Sequence, residues 1–208
     1  MKAIFLIVLL MLISGCSSSE HETSKDSTSS PEASEVKKLQ SACDLGSGKD
    51  CDQLATLLIN GQQAEDHQKI ITLLNKACEI GHTDSCTQLA NIYTTPKIAE
   101  EDFTKAAELY EKACSAGQQE ACSALAKLYY VGQGVDQDRK KSAVLSEQSC
   151  SQNDASACIM AGTQYLNGDG VQQNNDEALA LFKKACELKN ETGCQSLSKL
   201  QTKLHRYN

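Results

Sequence analysis

Cysteine is the residue type in this 208-residue sequence that could take part in the widest range of chemistry, and its spacing is regular. Apart from Cys16 there are ten cysteines, and they form five pairs whose two members stand eight positions apart. The first members of successive pairs follow one another at intervals of 35 or 36 residues. The pairs are Cys43 and Cys51, Cys78 and Cys86, Cys114 and Cys122, Cys150 and Cys158, and Cys186 and Cys194.

The spacing favours structural disulfides over metal binding or redox chemistry. Zinc sites use cysteines roughly two to four residues apart and four ligands that converge, whereas this chain adds only His21, His67, His82 and His205. No C-x-x-C signature of a redox or haem site occurs. Free thiols require a reducing compartment, which the N-terminal leader contradicts. We therefore predict one disulfide within each pair, no metal site and no cofactor.

The N-terminal sequence, MKAIFLIVLLMLISGC, has the layout of a secretory signal, with Lys2 followed by an apolar run over residues 3 to 13. That run is about half the length needed to span a bilayer. The last five residues, LISGC, resemble the bacterial lipobox. By that resemblance, residues 1–15 are a lipoprotein signal, Cys16 is lipidated, and Ser17 favours sorting to the outer membrane facing the periplasm. The alternative is a simple secretory signal followed by a chance cysteine.

Composition limits how the chain attaches to other molecules. Residues 16–34 hold the lipidated cysteine and a stretch rich in Ser, Thr and Glu, which predicts a disordered tether. The formal charge of −7 argues against binding nucleic acid or anionic lipid by electrostatics. Membrane attachment is therefore expected through the lipid anchor only.

Apolar residues repeat with the same period as the cysteines. Counted from the second cysteine of each pair, positions +3, +4 and +7 form one face of a helix, as in Leu54, Ala55 and Leu58, or Leu89, Ala90 and Tyr93. We call this helix A. A second amphipathic run, helix B, ends at the next cysteine, as in Leu73, Leu74 and Ala77. A period of about 36 residues indicates an all-α solenoid of helix pairs.

The predicted solenoid covers residues 35–203 and is followed by a short tail over 204–208. Four full A–B units begin at Cys51, Cys86, Cys122 and Cys158. A lone B-like helix over 35–45 precedes them, and a lone A-like helix over 192–203 follows them, so both ends act as caps.

The turn from each B helix to the next A helix has its own signature. Three residues after each first cysteine stand Gly46, Gly81, Gly117 and Asn153, which adopt the left-handed conformation at low cost. Lys189 departs from this pattern.

The stretch ACSALAKLYYVGQGVDQDRKKSAVLSEQSC, residues 121 to 150, resembles a Sel-one-like repeat, a relative of the tetratricopeptide repeat. With cysteines eight apart in every unit, the chain looks like the Helicobacter cysteine-rich protein branch of that family. The resemblance implies a right-handed α/α solenoid stapled by disulfides, with the A helices lining its concave groove.

The sequence departs from the family pattern in three places. The first two loops lack G-x-G, because Gln63 stands in the first loop and Pro96 and Ile98 in the second. The third B helix is polar where the others are apolar, and this predicts looser packing; its residues are Ser142, Ser146 and Ser149.

Solenoids of this class bind peptides or partner domains in an extended groove. Positions +1, +5 and +8 of each A helix are predicted to face it. The candidate partner-binding residues are Asn91, Lys127, Tyr130, Ile159, Thr163 and Leu166. Tyr130, Ile159 and Leu166 form an apolar contact patch or, alternatively, pack between units. The predicted function is a protein-binding scaffold or adaptor whose partner is a protein or peptide of the cell envelope.

Two other functions follow from the resemblance. Family members in this branch have been described as weak penicillin binders or β-lactamases, whose chemistry uses a Ser-x-x-Lys on a helix. Ser196 and Lys199 fit that spacing, but neither S-D-N nor K-T-G accompanies them, so we predict no catalytic residue. The other alternative is an immunity protein that neutralises a periplasmic toxin.

Overall fold

The computed structural model describes residues 31–61 and 66–207, and in this part the chain forms ten α-helices and no strand. The predicted signal at 1–15, Cys16 and the tether up to residue 30 lie outside the described residues. The helices are α1 (Pro31–Asp44), α2 (Gly48–Asn60), α3 (His67–Glu79), α4 (Thr83–Thr94), α5 (Phe103–Ser115), α6 (Gln119–Val131), α7 (Arg139–Ser151), α8 (Ala155–Asn167), α9 (Asn175–Glu187) and α10 (Glu191–Tyr207).

The helices stack as a solenoid of A–B pairs, which confirms the predicted fold class. The four pairs are α2–α3, α4–α5, α6–α7 and α8–α9, with α1 as a lone B helix and α10 as a lone A helix. Each helix contacts its neighbour in sequence, and α8 also contacts α10. α1 begins at Pro31 and α10 ends at Tyr207, so the helical part extends beyond the predicted limits of 35 and 203. None of the described helices is both long and apolar enough to cross a bilayer.

Five disulfides join consecutive pairs of the stack, with the pairing that the spacing predicts. Each links the last turn of a B helix to the first turn of the next A helix, and the Cα atoms of the two cysteines lie 4.4–4.8 Å apart. The loop that each bridge closes is short, so its chain-entropy contribution is modest, about 2.5 kcal/mol. The core around the bridges consists mainly of alanine and leucine, and a thin core of this kind benefits from covalent links.

The turns spanned by the disulfides all have the same shape. Gly46, Gly81, Gly117 and Asn153 have φ values between 72° and 96°, as predicted, and Lys189 also has a positive φ of 62°. The backbone N–H of Lys189 donates to the carbonyl of Cys186, as the N–H of Gly117 does to that of Cys114. The bridge and this hydrogen bond therefore hold the turn in one conformation even where the residue does not favour it.

The loops after α6 and α8 explain the G-x-G motif. A Cβ at Gly134 would lie 2.2 Å from the backbone of Phe103, and one at Gly170 would lie 2.2 Å from the backbone of Arg139. Each loop therefore packs closely against the start of the B helix of the preceding unit. The loop after α4 has Ile98 at the position of Gly134, so it must follow a different path.

The third B helix, α7, is tightly buried despite its serines, which contradicts the looser packing predicted for it. Ser142, Ser146 and Ser149 are almost fully buried. The Gln164 amide nitrogen on α8 donates to Ser142 Oγ at 3.1 Å. Ser146 Oγ and Gln164 Oε1 are buried without a hydrogen-bond partner. The serines of α7 thus cost stability through unpaired buried polar atoms rather than through loose packing.

Three lysines, each two residues before the first cysteine of a pair, connect successive B helices. The sequence did not predict these contacts. Lys112 Nζ donates to the carbonyl of Cys78 at 2.8 Å, and Lys184 Nζ donates to that of Ser151 at 3.3 Å. Lys76 lies 3.6 Å from Asp44 at the end of α1. Cations at helix C-termini satisfy the last carbonyls and interact favourably with the helix dipole.

Removal of one internal disulfide tests the role of the bridges in stability. We expect the double variant Cys114→Ala, Cys122→Ala to lose about 2.5 kcal/mol of unfolding free energy, because the unfolded chain is no longer constrained at that loop. Urea denaturation followed by circular dichroism measures the change. Wild-type protein treated with a reductant must be destabilised further, and equal stability of the variant and the oxidised wild type would contradict this role.

Two serine variants of α7 are expected to change stability in opposite directions. Ser146→Ala removes a buried hydroxyl that has no partner and should stabilise the fold by about 1 kcal/mol. Ser142→Ala, an equally buried control on the same helix, removes the acceptor of Gln164 and should destabilise by about 1–2 kcal/mol. Urea titrations of both variants check the signs, and a loss of stability in Ser146→Ala would refute the interpretation of its hydroxyl.

Candidate functional site

Fewer positions of the A helices are exposed than the sequence predicts. Of the +1 positions, Thr87 and Ser123 are only 6% and 5% exposed, so the prediction that they face the groove is wrong. Asp52, at the same position in α2, accepts hydrogen bonds from Ser85 Oγ and Gln88 Nε2 of α4. The +1 side chains thus lie in the seam between successive A helices.

The seam between α2 and α4 contains a serine, a histidine and an aspartate, the residue types of a hydrolytic triad. Ser85 Oγ donates to Asp52 Oδ1 at 2.5 Å, and His82 Nδ1 lies 2.9 Å from Ser85 Oγ. In a catalytic triad the histidine stands between the serine and the acid, but here Ser85 stands between the other two and is fully buried. The cluster therefore joins two units and offers no accessible nucleophile.

The +5 positions are exposed on α4 and α6 and half-buried on α8. Asn91 and Lys127 are exposed, and Thr163 is half-buried with its hydroxyl donating to the Ile159 carbonyl. The Tyr110 hydroxyl donates to Asn91 Oδ1 at 2.5 Å, which fixes the orientation of the Asn91 amide. Burial raises the pKa of Tyr110, so this donor keeps its proton at neutral pH.

Tyr130, Ile159 and Leu166 are engaged in packing within the solenoid rather than forming a free apolar patch. The Tyr130 hydroxyl donates to Asp169 Oδ2 at 2.9 Å, and Arg139 lies over its ring at 5.3 Å. The hydrogen bond to Asp169 raises the pKa of Tyr130. Ile159 and Leu166 are half-buried against the apolar cluster at the C-terminal end. The alternative of packing between units therefore describes these three residues.

The tyrosine at +7 of each later A helix lies in a charged cluster that changes along the chain. Lys141 Nζ lies 2.6 Å from the Tyr129 hydroxyl and 3.0 Å from Glu111. One unit later, Glu177 takes the place of that lysine, beside Tyr165 and Glu147. A hydrogen bond to Glu147, together with burial and the charges of both carboxylates, raises the pKa of Tyr165 to about 12.

A cleft of about 600 Å³ lies on the side of the solenoid that the B helices form, between α3 and α5. Leu89 and Tyr93 of α4 belong to its lining. Lys105, on its α5 side, pairs with Asp102 at 2.9 Å, whereas the equivalent Lys141 crosses to Glu111 of the preceding B helix. Asn75 stands at the position of Glu111 on α3, so Lys105 has no carboxylate there to pair with. Its lining has lysine and glutamate side by side and therefore no strong preference for one sign of charge.

Residues considered for enzymatic chemistry are not assembled into a site. Ser196 is half-buried and Lys199 exposed on α10, and no hydrogen bond joins their side chains in the described part of the chain. Over residues 31–61 and 66–207, no group of three or more His, Cys, Asp or Glu side chains is arranged to hold a metal ion.

Repeated helix pairs of this length define an α/α solenoid. The Sel1 repeat model matches residues 83–118, 119–154 and 155–190, which is more than half of the chain. The chain therefore belongs to the Sel1 repeat family, and repeats of this kind generally mediate protein–protein interaction. The first pair, α2–α3, lies outside the matched residues.

Solved structures share the same fold. A protective antigen of uropathogenic Escherichia coli with an SLR fold superposes with a TM-score of 0.76 at 24% identity, over 81% of this chain and 36% of its own. A Sel1 repeat protein of Oxalobacter formigenes gives 0.68 at 19%, over 78% and 65%. Cysteine-rich protein B of Helicobacter pylori gives 0.52 at 29%, over 65% and 97%. The chain thus spans about a third of the first structure and two thirds of the second. No curated protein sequence matches it.

Replacement of Glu177 by lysine tests the charged cluster around Tyr165. We expect Glu177→Lys to lower the pKa of the Tyr165 phenol and to stabilise the fold by roughly 0.5 kcal/mol, because a cation then faces Glu147 as Lys141 faces Glu111. In the wild type the folded pKa exceeds the unfolded value of about 10. The neutral phenol of Tyr165 therefore contributes to the free energy of unfolding below pH 10, and this contribution is lost as the pH rises towards 12.

NMR titration with ring-labelled tyrosine measures the pKa, and urea denaturation measures the stability. Glu177→Gln, which removes the charge without adding a cation, serves as the control and should give a smaller shift. A Tyr165 pKa that does not respond to either substitution would contradict the assigned cluster.

Proposed function

We propose that the protein is a lipid-anchored scaffold of the bacterial cell envelope that binds a protein partner along its A-helix face. The observation that carries the proposal is the outward row at the +5 positions, where Asn91 and Lys127 are exposed on consecutive A helices. A rigid face repeated from unit to unit suits an extended or helical segment of another protein. Membership of a family whose repeats mediate protein–protein interaction supports the same function.

The charges of this face are arranged unevenly, which gives a partner a defined direction. Glu120 lies 3.5 Å from the Asn91 amide nitrogen, and Asp84 accepts a hydrogen bond from Gln118 at 2.6 Å. These acids near the N-terminal ends of α4 and α6 are exposed, and each hydrogen-bonds a side chain of the neighbouring unit. Lys127, further along α6, makes no ion pair within the described residues.

The envelope location rests on two arguments from different parts of the chain. Structural disulfides persist in oxidising compartments such as the periplasm, and this solenoid has five. The N-terminal sequence ending in LISGC supports export and lipidation at Cys16. More than one acyl chain on that residue gives stable anchoring. Within the envelope, the scaffold serves either the assembly of a complex or the neutralisation of a toxin.

Photo-cross-linking from the A-helix face in native cells tests the proposal. A benzophenone amino acid at position 127 should give one discrete cross-linked protein, whereas the same group at Val144 on α7, which is 58% exposed, should not. The identity of that protein distinguishes an assembly partner from a toxin. Cys16→Ser should prevent acylation of the protein, which the mass of the purified protein measures. Equal cross-linking from both positions would refute the A-helix face as the binding surface.

A further inference from the structure

The loop between α4 and α5 departs from the repeat, and the departure creates a pocket. Gly132 and Gly168 end α6 and α8 in the left-handed conformation. Pro96 stands at the equivalent position, and its ring fixes φ near −65°, so it cannot adopt that conformation. α4 accordingly ends at Thr94, and Thr95 is extended with φ −135°.

Ile98 has a second effect, because it replaces the glycine that lets the other loops approach the preceding unit. A β-carbon at Gly134 would collide with the backbone of Phe103, so a loop with Ile98 at this position cannot make the same close approach to the preceding unit. Ile98 instead packs towards the cluster formed by α1 to α4. The space that results is a pocket of about 220 Å³ between the ends of α2 and α4.

The lining of this pocket is apolar at its base and polar at its rim. Ile59, Ile92 and Ile98 supply the apolar surface, and the rim is formed by Gln88, Asn91, Thr95 and Lys97. Gln88 is held by Asp52 at 3.0 Å and Asn91 by the Tyr110 hydroxyl, so both amides are fixed before any partner arrives. Preorganised groups of this kind cost little to order on binding.

Size and charge together identify the occupant. The volume is below the roughly 300–1,000 Å³ of small-molecule sites, so it accommodates one large side chain rather than a cofactor. Lys97 is exposed and makes no ion pair within the described part of the chain. An ammonium group without a partner beside an apolar pocket favours a carboxylate next to the inserted side chain.

We infer that this pocket anchors a protein partner through one large aliphatic side chain adjacent to an aspartate or glutamate. The inference rests on the proposed function and specifies the chemistry of its partner. The pocket lies at the one loop of the matched repeats that lacks G-x-G.

Selection of randomised seven-residue peptides on phage against the full chain in detergent tests the inference. Enriched peptides should share a Leu, Ile or Met beside Asp or Glu, and fluorescence anisotropy then measures their affinity. Ile98→Ser should weaken binding about ten-fold or more. Ile80→Ser, which changes an isoleucine outside the pocket that is 49% exposed, should leave it unchanged.

Charge reversal keeps the test valid even if Ile98→Ser disturbs the loop. Lys97→Glu lies on the surface and should weaken the same peptides, and replacing their acidic residue by lysine should restore binding to that variant. No enrichment, enrichment without the aliphatic–acidic pair, or equal binding by Ile98→Ser and wild type would each overturn the inference. If cross-linking from position 127 still captures a partner in that case, the proposed function stands and only the assigned pocket is wrong.

Discussion

The short disulfide between each B helix and the next A helix is the constraint on which the rest of this molecule depends. It fixes the turn between units so firmly that Lys189 adopts the left-handed conformation that glycine or asparagine takes elsewhere. Since the core consists mainly of alanine and leucine, with little aromatic surface to bury, covalent links at every junction compensate for limited hydrophobic stabilisation.

Three residues that differ from their equivalents in the other repeats change the local structure. Ser146 occupies a position where other B helices have Leu74, Tyr110 or Phe182, and it leaves unpaired polar atoms in the core. Glu177 takes the place of a lysine and leaves Tyr165 between two carboxylates. Ile98 takes the place of a glycine and opens an apolar pocket. Each departure changes local packing or charge without changing the order of the helices.

The proposed protein-binding function agrees with the arrangement of side chains on the A helices. The side chains between A helices, including Ser85 and His82, satisfy one another's hydrogen bonds within the seam. The outward positions carry polar groups such as Asn91, whose orientation is fixed from beneath by Tyr110. A polar surface that is preorganised and extended suits recognition of another protein. The lipid anchor proposed at Cys16 would keep that partner near the membrane.

The sequence by itself determined the features that depend on residues close together in the chain. Cysteines eight apart defined the bridges, apolar spacing defined the helix pairs, and glycines defined most of the turns, because each follows from the geometry of a single turn or helix. Only the tertiary structure decided which A-helix positions are accessible. Thr87 and Ser123 are buried, Asp52 meets Ser85 from 33 residues away, and the pocket forms between two units. Such contacts depend on the rotation and distance between successive units, which local periodicity does not specify.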